Sequence, residues 1–231
     1  MALIRLGPSA SAKQKRLTAL EAEKGGDTAF LAGCVVDARL LGSLELAGES
    51  ASWEEVRGSR RGEPGPPAVE RLRAAFGAVA PGAALDRSAL RAWHAAALGC
   101  GSNWRRGART QGVPGAPPER IEGRLEILET WLASDSVAKL KPVEAGALVL
   151  SRLVEILPFD DGNGRVSRLA AGHVMRRAGG QEPILVGADG PRLAACLQTA
   201  FALDLQALAA LLEEASERSL DVMIQALEGR A

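Results

Sequence analysis

Leu-Pro-Phe-Asp-Asp-Gly-Asn-Gly-Arg-Val-Ser-Arg, residues 157–168, is the most informative segment of this 231-residue chain. The residues before it repeat apolar side chains at helical spacing, at Val143, Ala147, Leu150 and Val154. A second helical pattern follows and is closed by two glycines at positions 179 and 180. The segment is therefore predicted to be a loop that joins two amphipathic helices.

The second half of this segment has the composition of an anion-binding loop. Gly162 and Gly164 let the backbone turn tightly and aim successive N–H groups at one point, where a helix N-terminus adds partial positive charge. Arg165 and Arg168 lie three residues apart on nearly one helix face, and two guanidinium groups beside such N–H groups suit a polyphosphate. Asp161 fits there if a divalent cation lies between it and the anion. A solvated turn with surface arginines is the alternative interpretation.

The overall composition favours an all-α fold. Aromatic residues make up 3% of the chain and tyrosine is absent, whereas sheets favour aromatic and β-branched residues. Apolar residues make up 47%, which is enough to bury a sizeable core. We therefore predict one globular domain, or one domain with a helical extension, built from about eight or nine helices of ordinary length.

Charge and hydropathy patterns argue against several classes of protein. The chain has 28 basic and 28 acidic residues, so a protein that coats nucleic acid is not expected. No stretch approaches the run of about 18 apolar residues that a membrane span needs, and residues 1–15 lack the pattern of a secretory signal. The cysteines are scattered without metal-ligand spacing, at Cys34, Cys100 and Cys196. This usage fits a reducing compartment, and we expect a cytoplasmic protein.

Residues 157–168 resemble the signature of Fic-domain (fido) proteins. That signature reads His, any residue, Phe, any residue, Asp or Glu, Gly-Asn-Gly-Arg, two residues, Arg. The matching positions are Phe159, Asp161, Gly162, Asn163, Gly164, Arg165 and Arg168. The resemblance, which extends less specifically over residues 30–226, implies an all-helical fold. It also implies transfer of AMP from ATP to a hydroxyl group of a target protein, or in some relatives transfer of phosphate or phosphocholine.

Position by position, the resemblance assigns roles to the matching residues. Asp161 would hold Mg²⁺, and Phe159 would anchor the loop in the core. The Asn163 side chain would bind phosphate, and Arg168 would hold the terminal phosphate of ATP. The full set of nucleotide-binding residues would be Gly162, Asn163, Gly164, Arg165 and Arg168, the three residues 162–164 acting through their backbone N–H groups.

The first signature position departs from the family, because Leu157 stands where the family has its histidine general base. Loss of a general base costs about 10²–10⁴ in rate, so we expect impaired or altered transfer, whereas nucleotide binding uses other atoms. Asp160 is a substitute base only if it faces the target hydroxyl; otherwise it is a solvated carboxylate. Two functions follow: a transferase with residual or redirected activity, or a non-catalytic nucleotide-binding regulator, a pseudoenzyme. An inactivating substitution introduced at position 157 would leave the same pattern.

A second segment resembles the inhibitory helix of many Fic proteins, whose pattern is Ser, three residues, Glu, Gly. Residues 43–48 read Ser-Leu-Glu-Leu-Ala-Gly, so Ala47 stands where a glutamate would pair with the second arginine of the signature. Glu45 lies about 200° away around a helix and is a poor replacement. The alternative is an ordinary helix end that Gly48 caps.

The resemblance also divides the chain into three parts and suggests its partners. We assign residues 1–26 to a partly flexible N-terminal segment, residues 27–68 to a helical extension with a degraded inhibitory motif, and residues 69–231 to the Fic core. Residues 101–118 lie where the family has a β-hairpin flap that docks the target polypeptide, but their glycines and prolines do not favour a regular hairpin. Three arginines there would reach the nucleotide or an acidic partner, or else belong to a solvated loop: Arg105, Arg106 and Arg109. The expected partners are a nucleotide and a target protein, and a homodimer stays among the options.

Overall fold

The structure is a computed structural model that describes residues 10–111 and 113–229. Apart from one pair of two-residue strands, the regular elements in these residues are helical, which confirms the all-α prediction. Ten α-helices follow one another in the described part of the chain: α1 (Ala10–Lys24), α2 (Thr28–Glu45), α3 (Trp53–Arg60), α4 (Pro67–Gly77), α5 (Arg87–Leu98), α6 (Ile121–Leu132), α7 (Pro142–Ile156), α8 (Asn163–Arg177), α9 (Gly190–Phe201) and α10 (Gln206–Leu227).

The two strands lie between α5 and α6. The first, β1 (Thr110–Gln111), pairs antiparallel with β2 (Val113–Pro114). A small hairpin therefore forms where the sequence did not favour a regular one. Pro114 lacks an N–H and cannot donate to the ladder, and the Gly115 N–H donates to the Arg109 carbonyl at 2.7 Å just beyond the paired residues.

Helices α7 and α8 form the centre of the fold and lie side by side. Gly146 on α7 permits their close approach, because a Cβ atom there would come within 2.5 Å of the Met175 side chain on α8. Both helices bury side chains on two sides. One side packs with α4, α5 and α6 and includes Leu153 and Val166. The other side packs with α9 and α10 and includes Leu150. The loop between α7 and α8 is thereby held by core packing on both flanks.

The N-terminal helices pack onto this centre. Leu40 and Leu44 of α2 belong to the same buried cluster as α7 and α8. Asp37 of α2 is almost fully buried and pairs with Arg60 at 3.2 Å and Arg73 at 2.7 Å, which joins α2 to α3 and α4. This packing brings the C-terminal end of α2 beside the loop between α7 and α8.

Helix α1 packs against α10. Its Leu17 contacts the buried side chains of Leu220 and Ile224, and the Lys13 ammonium donates to the Asp221 carboxylate at 2.7 Å. None of the helices in the described residues is long and apolar enough to cross a membrane.

Candidate phosphate-binding site

The first residue after α7, Leu157, has an unfavourable backbone conformation. Leu157 has φ 48° and a fully buried side chain, and a left-handed conformation is costly for a residue with a Cβ atom. The guanidinium group of Arg105 compensates at this helix end. Its Nε donates to the Leu157 carbonyl at 2.5 Å and its Nη2 to the Ile156 carbonyl at 3.2 Å. A cation at a helix C-terminus also interacts favourably with the helix dipole.

Arg105 is therefore a structural residue, which corrects the expectation that it reaches a nucleotide or a partner. It is 2% exposed and donates further hydrogen bonds to the carbonyls of Gly107 and Ala116. Four carbonyl acceptors fix the guanidinium in place, so it is not available to an external ligand. Arg106 and Arg109 are exposed, and their proposed contacts with a ligand stay a prediction.

Two buried side chains fix the shape of the loop. Phe159 is fully buried between the rings of His94 and Trp104, with centroid distances of 3.9 and 5.1 Å. The Asn163 side-chain amide accepts from the Phe159 N–H at 2.9 Å and donates to the Phe159 carbonyl at 2.8 Å. The Asn163 side chain therefore closes the loop through both of its polar groups, and its role as a phosphate ligand stays a prediction.

The start of α8 presents free backbone donors. Gly162 precedes the helix with φ 72°, and a Cβ atom there would lie 2.5 Å from the Leu98 side chain, so only glycine fits. The helical hydrogen bonds begin with the Val166 N–H, which donates to the Gly162 carbonyl at 3.0 Å. The N–H groups of residues 163–165 precede this ladder, and no side chain caps them. Such a group of N–H donors is an anion-binding arrangement.

Both signature arginines contact the end of α2. Arg165 forms an ion pair with Glu49 and lies 3.5 Å from the Asp161 carboxylate. Arg168 donates to the Ser43 carbonyl at 2.9 Å and to the Ser43 hydroxyl at 2.9 and 3.1 Å. The Glu49 contact could not be predicted from the sequence, because Glu49 and Arg165 are 116 residues apart in the chain and no local pattern links them.

The guanidinium group of Arg168 carries a positive charge close to the start of α8. Burial, together with the nearby charge of Arg165, lowers the pKa of Arg168 to about 10, so the guanidinium is still protonated at neutral pH. Among the described residues, no acidic side chain forms an ion pair with Arg168. A half-buried cation without an anionic partner is costly, and an incoming anion would relieve that cost.

The two loop carboxylates lie at the surface. The Asp161 side chain is 71% exposed, and Asp160 beside it is exposed as well, as expected of a solvated carboxylate. In the described part of the chain, no cluster of three or more His, Cys, Asp or Glu side chains could hold a metal ion. A resident metal site therefore does not fit. A Mg²⁺ ion that arrives with phosphate oxygens does fit, since such ions use only one or two protein carboxylates.

The turn after α2 has the geometry of an ordinary capped helix end. Gly48 has φ 76°, and the Glu49 N–H donates to the Leu44 carbonyl at 3.0 Å, which closes the last turn. Ala47 is exposed in this turn, and its inhibitory role stays a prediction. The Glu45 carboxylate accepts from the Gly187 N–H at 2.8 Å, so it is engaged away from Arg168.

A family model and curated relatives match the part of the chain that carries this site. The model of the Fic/DOC family matches residues 84–175. Protein adenylyltransferase Fic of Drosophila erecta is 32% identical over 102 residues, which is 44% of this chain and 21% of that protein. Protein adenylyltransferase Fic of Nematostella vectensis is 33% identical over 112 residues, which is 48% of this chain and 26% of that protein. The chain thus aligns with only a minor part of each of these relatives.

Solved structures match nearly the whole chain. Fic-1 (residues 134–508) of Caenorhabditis elegans superposes with a TM-score of 0.71 and 22% identity, covering 96% of this chain and 73% of that one. A Fic domain containing signaling protein of Bacteroides thetaiotaomicron gives a TM-score of 0.78 and 21% identity, covering 96% and 98% of the two chains. At this level of identity the similarity shows the shared helical fold.

Proposed function

Because residues 84–175 form a domain of the Fic/DOC family, we propose that this protein binds ATP with Mg²⁺ at the N-terminus of α8. The observation that carries the proposal is the group of uncapped N–H donors at residues 163–165, one helical turn from the positive charge of Arg168. Donors of this kind bind phosphate oxygens without needing side chains. The curated relatives are protein adenylyltransferases by name, and such proteins take a nucleotide.

Each residue of the loop has a separate role in the proposed binding of the nucleotide. The N–H groups of residues 163–165 bind the inner phosphates, and Arg168 holds the terminal phosphate. Arg165 neutralises phosphate charge once it leaves Glu49. Asp161 would be the protein ligand of Mg²⁺. The ion supplies charge neutralisation at the phosphates.

The missing component of the site is a proton acceptor. Transfer of AMP forms a bond between a target hydroxyl oxygen and the α-phosphorus, releases pyrophosphate, and requires removal of the hydroxyl proton. Leu157, at the position of the family's histidine, has no atom that accepts a proton. The proton would pass to water or to Asp160, which is exposed on the same loop. We therefore propose that transfer is impaired or altered relative to the relatives.

A non-catalytic regulator is the second candidate function, and the contacts of α2 favour it. Glu49 and Ser43 engage the two signature arginines, so a bound triphosphate would compete with the end of α2 for both. Nucleotide occupancy would thereby change the conformation of this segment, which a partner protein could detect.

Calorimetric titration with ATP and Mg²⁺ tests the binding proposal. We expect saturable binding by the wild-type protein, weaker binding in EDTA, and weaker binding by Asp161→Asn. Asp160→Asn is the matched control, because it removes the same charge from the adjacent exposed residue and should have the smaller effect. Absence of binding at millimolar ATP would contradict the proposal. Incubation of the binding protein with α-labelled ATP and a native lysate then separates the two functions, since only a transferase gives covalent label.

A further inference from the structure

His94 of α5 packs against the phosphate-binding loop, where it contacts two residues and lies beside a third. Its ring stacks on Phe159 with 3.9 Å between centroids and 15° between planes. Its Nε2 lies 3.2 Å from the Asp161 carbonyl oxygen. Its Cδ2 lies 3.6 Å from the position that a Cβ atom would take at Gly162. The residue is 6% exposed, and its 67-residue separation from Asp161 hides the contact in the sequence.

The chemistry of the ring determines what histidine contributes at this position. The contact of Nε2 with the Asp161 carbonyl determines which ring nitrogen carries a proton. A carbonyl oxygen can only accept, so the proton is on Nε2 and the ring donates to Asp161. Nδ1 is then a buried acceptor, and it has no partner. Phenylalanine would provide the same stacking without the cost of an unsatisfied acceptor, so the specific contribution of His94 is the Nε2–H donor.

That donor fixes the orientation of one peptide plane. The Asp161 carbonyl and the Gly162 N–H belong to the same peptide unit, and in a trans peptide these two groups point in opposite directions. Because His94 holds the carbonyl toward α5, the Gly162 N–H points away from α5. Within the described residues, no hydrogen bond from this N–H is present. It therefore adds a donor to those of residues 163–165.

We propose that His94 is a positioning residue of the phosphate-binding loop, which aims the Gly162 N–H at the anion by holding the Asp161 carbonyl. The proposal rests on the proposed function in one respect, because the anion is taken to be a nucleotide phosphate. Its structural part concerns the loop itself and can be tested without any ligand.

The test compares two variants of His94 with a matched control. His94→Phe keeps the aromatic stacking and removes the donor, and His94→Gln restores an N–H donor of similar reach. His173→Phe is the control, because His173 is equally buried, packs edge-on against Trp93, and has its Nε2 2.8 Å from the Ala83 carbonyl. We measure Mg²⁺·ATP affinity by calorimetry, the unfolding midpoint, and the backbone amide NMR signals of residues 161–164 without ligand.

We expect His94→Phe to shift the ligand-free amide signals of residues 161–164 and to weaken Mg²⁺·ATP binding by about five- to tenfold, the effect of one lost hydrogen bond to a phosphate. His94→Gln should recover most of that affinity. His173→Phe should bind Mg²⁺·ATP as tightly as the wild type does, although its unfolding midpoint should fall by about as much as that of His94→Phe.

Unchanged amide signals of the loop in His94→Phe would overturn the proposal, whether or not the wild type binds ATP. Wild-type affinity in His94→Phe would also overturn it. A wild-type protein that does not bind Mg²⁺·ATP contradicts the proposed function, and the amide signals then decide the role of His94 alone.

Discussion

Arg165 lies between two carboxylates, and this local arrangement opposes the binding of a phosphate. Its side chain is 12% exposed, forms an ion pair with Glu49 and approaches Asp161. A triphosphate brings several negative charges to the same place, so Glu49 must leave Arg165 or share it. The Asp161 carboxylate is compatible with bound phosphates, because a Mg²⁺ ion can lie between the carboxylate and the phosphates. The Glu49 carboxylate is paired with Arg165 instead, so it would compete with the phosphates for that guanidinium group.

Substitution of Glu49 should therefore strengthen nucleotide binding. We expect Glu49→Gln to raise the affinity for Mg²⁺·ATP by roughly three- to tenfold, because a partly exposed ion pair contributes about 1 kcal/mol. Calorimetric titration measures the change. Glu54→Gln is the matched control, because Glu54 is also on the N-terminal extension but its ion pair is with the exposed Arg61.

An equal affinity of Glu49→Gln and wild type would show that Arg165 does not contact the phosphates. A gain of the same size in Glu54→Gln would instead indicate a general effect of net charge on the affinity.

At the residue scale, the sequence revealed the loop but not its neighbours. Gly162 and the arginine pair are recognisable because glycine spacing and charge within one turn have a direct physical meaning. Ser43, Glu49 and His94 reach the loop only through tertiary packing, so nothing near them in the sequence marks them. The contacts of the Asn163 amide with the Phe159 backbone were likewise not predicted, because they depend on the folded shape of the loop.

At the element scale, Arg105 joins the end of α7 to the segment that contains β1 and β2. Its guanidinium binds carbonyls on both sides, at Leu157 and Ile156 in the helix end and at Gly107 and Ala116 in the segment. The backbone adds two more links, from the Arg105 N–H to the Pro158 carbonyl and from the Ala116 N–H to the Ile156 carbonyl. The position of the hairpin thus depends on one buried side chain and two backbone hydrogen bonds.

Removal of this side chain should destabilise the protein strongly. Arg105→Met leaves several buried carbonyls without a donor, so we expect the free energy of unfolding to fall by about 2–4 kcal/mol. Arg106→Met, a change of the adjacent and exposed arginine, should alter it by no more than about 0.5 kcal/mol. Urea denaturation measures both. Similar effects of the two variants would contradict the structural role of Arg105.

Helical periodicity predicted the central elements better than the connecting segment. The apolar faces of α7 and α8 are local patterns, and both helices form where those patterns predict them. The hairpin was missed because the segment that contains it is held, through Arg105, on the end of α7, which is distant in sequence from β1 and β2. Arg105 was assigned to the surface because arginine is rarely buried, and its carbonyl partners are visible only in the folded chain.

At the scale of the whole molecule, the extension and the central helices share one core around the site. Leu44 of α2 is 1% exposed and lies in the same buried cluster as Leu153 of α7. One residue before it, Ser43 contacts Arg168 of α8. The same helix therefore contributes to stability and to the environment of the proposed nucleotide. We infer that ligand binding and the packing of α2 are coupled, since both depend on where the end of this helix lies.

The central claim is that the phosphate-binding site is intact and that its proton acceptor is missing. Leu157→His tests it most directly, because the backbone of Leu157 is already held by Arg105. We predict that transfer of labelled AMP from α-labelled ATP, to the protein itself or to a lysate protein, rises at least about tenfold, within the range that positioned bases supply. Adding Asp161→Ala should abolish the gain. A Leu157→His protein that binds Mg²⁺·ATP as tightly as the wild type but transfers no more AMP would contradict the account.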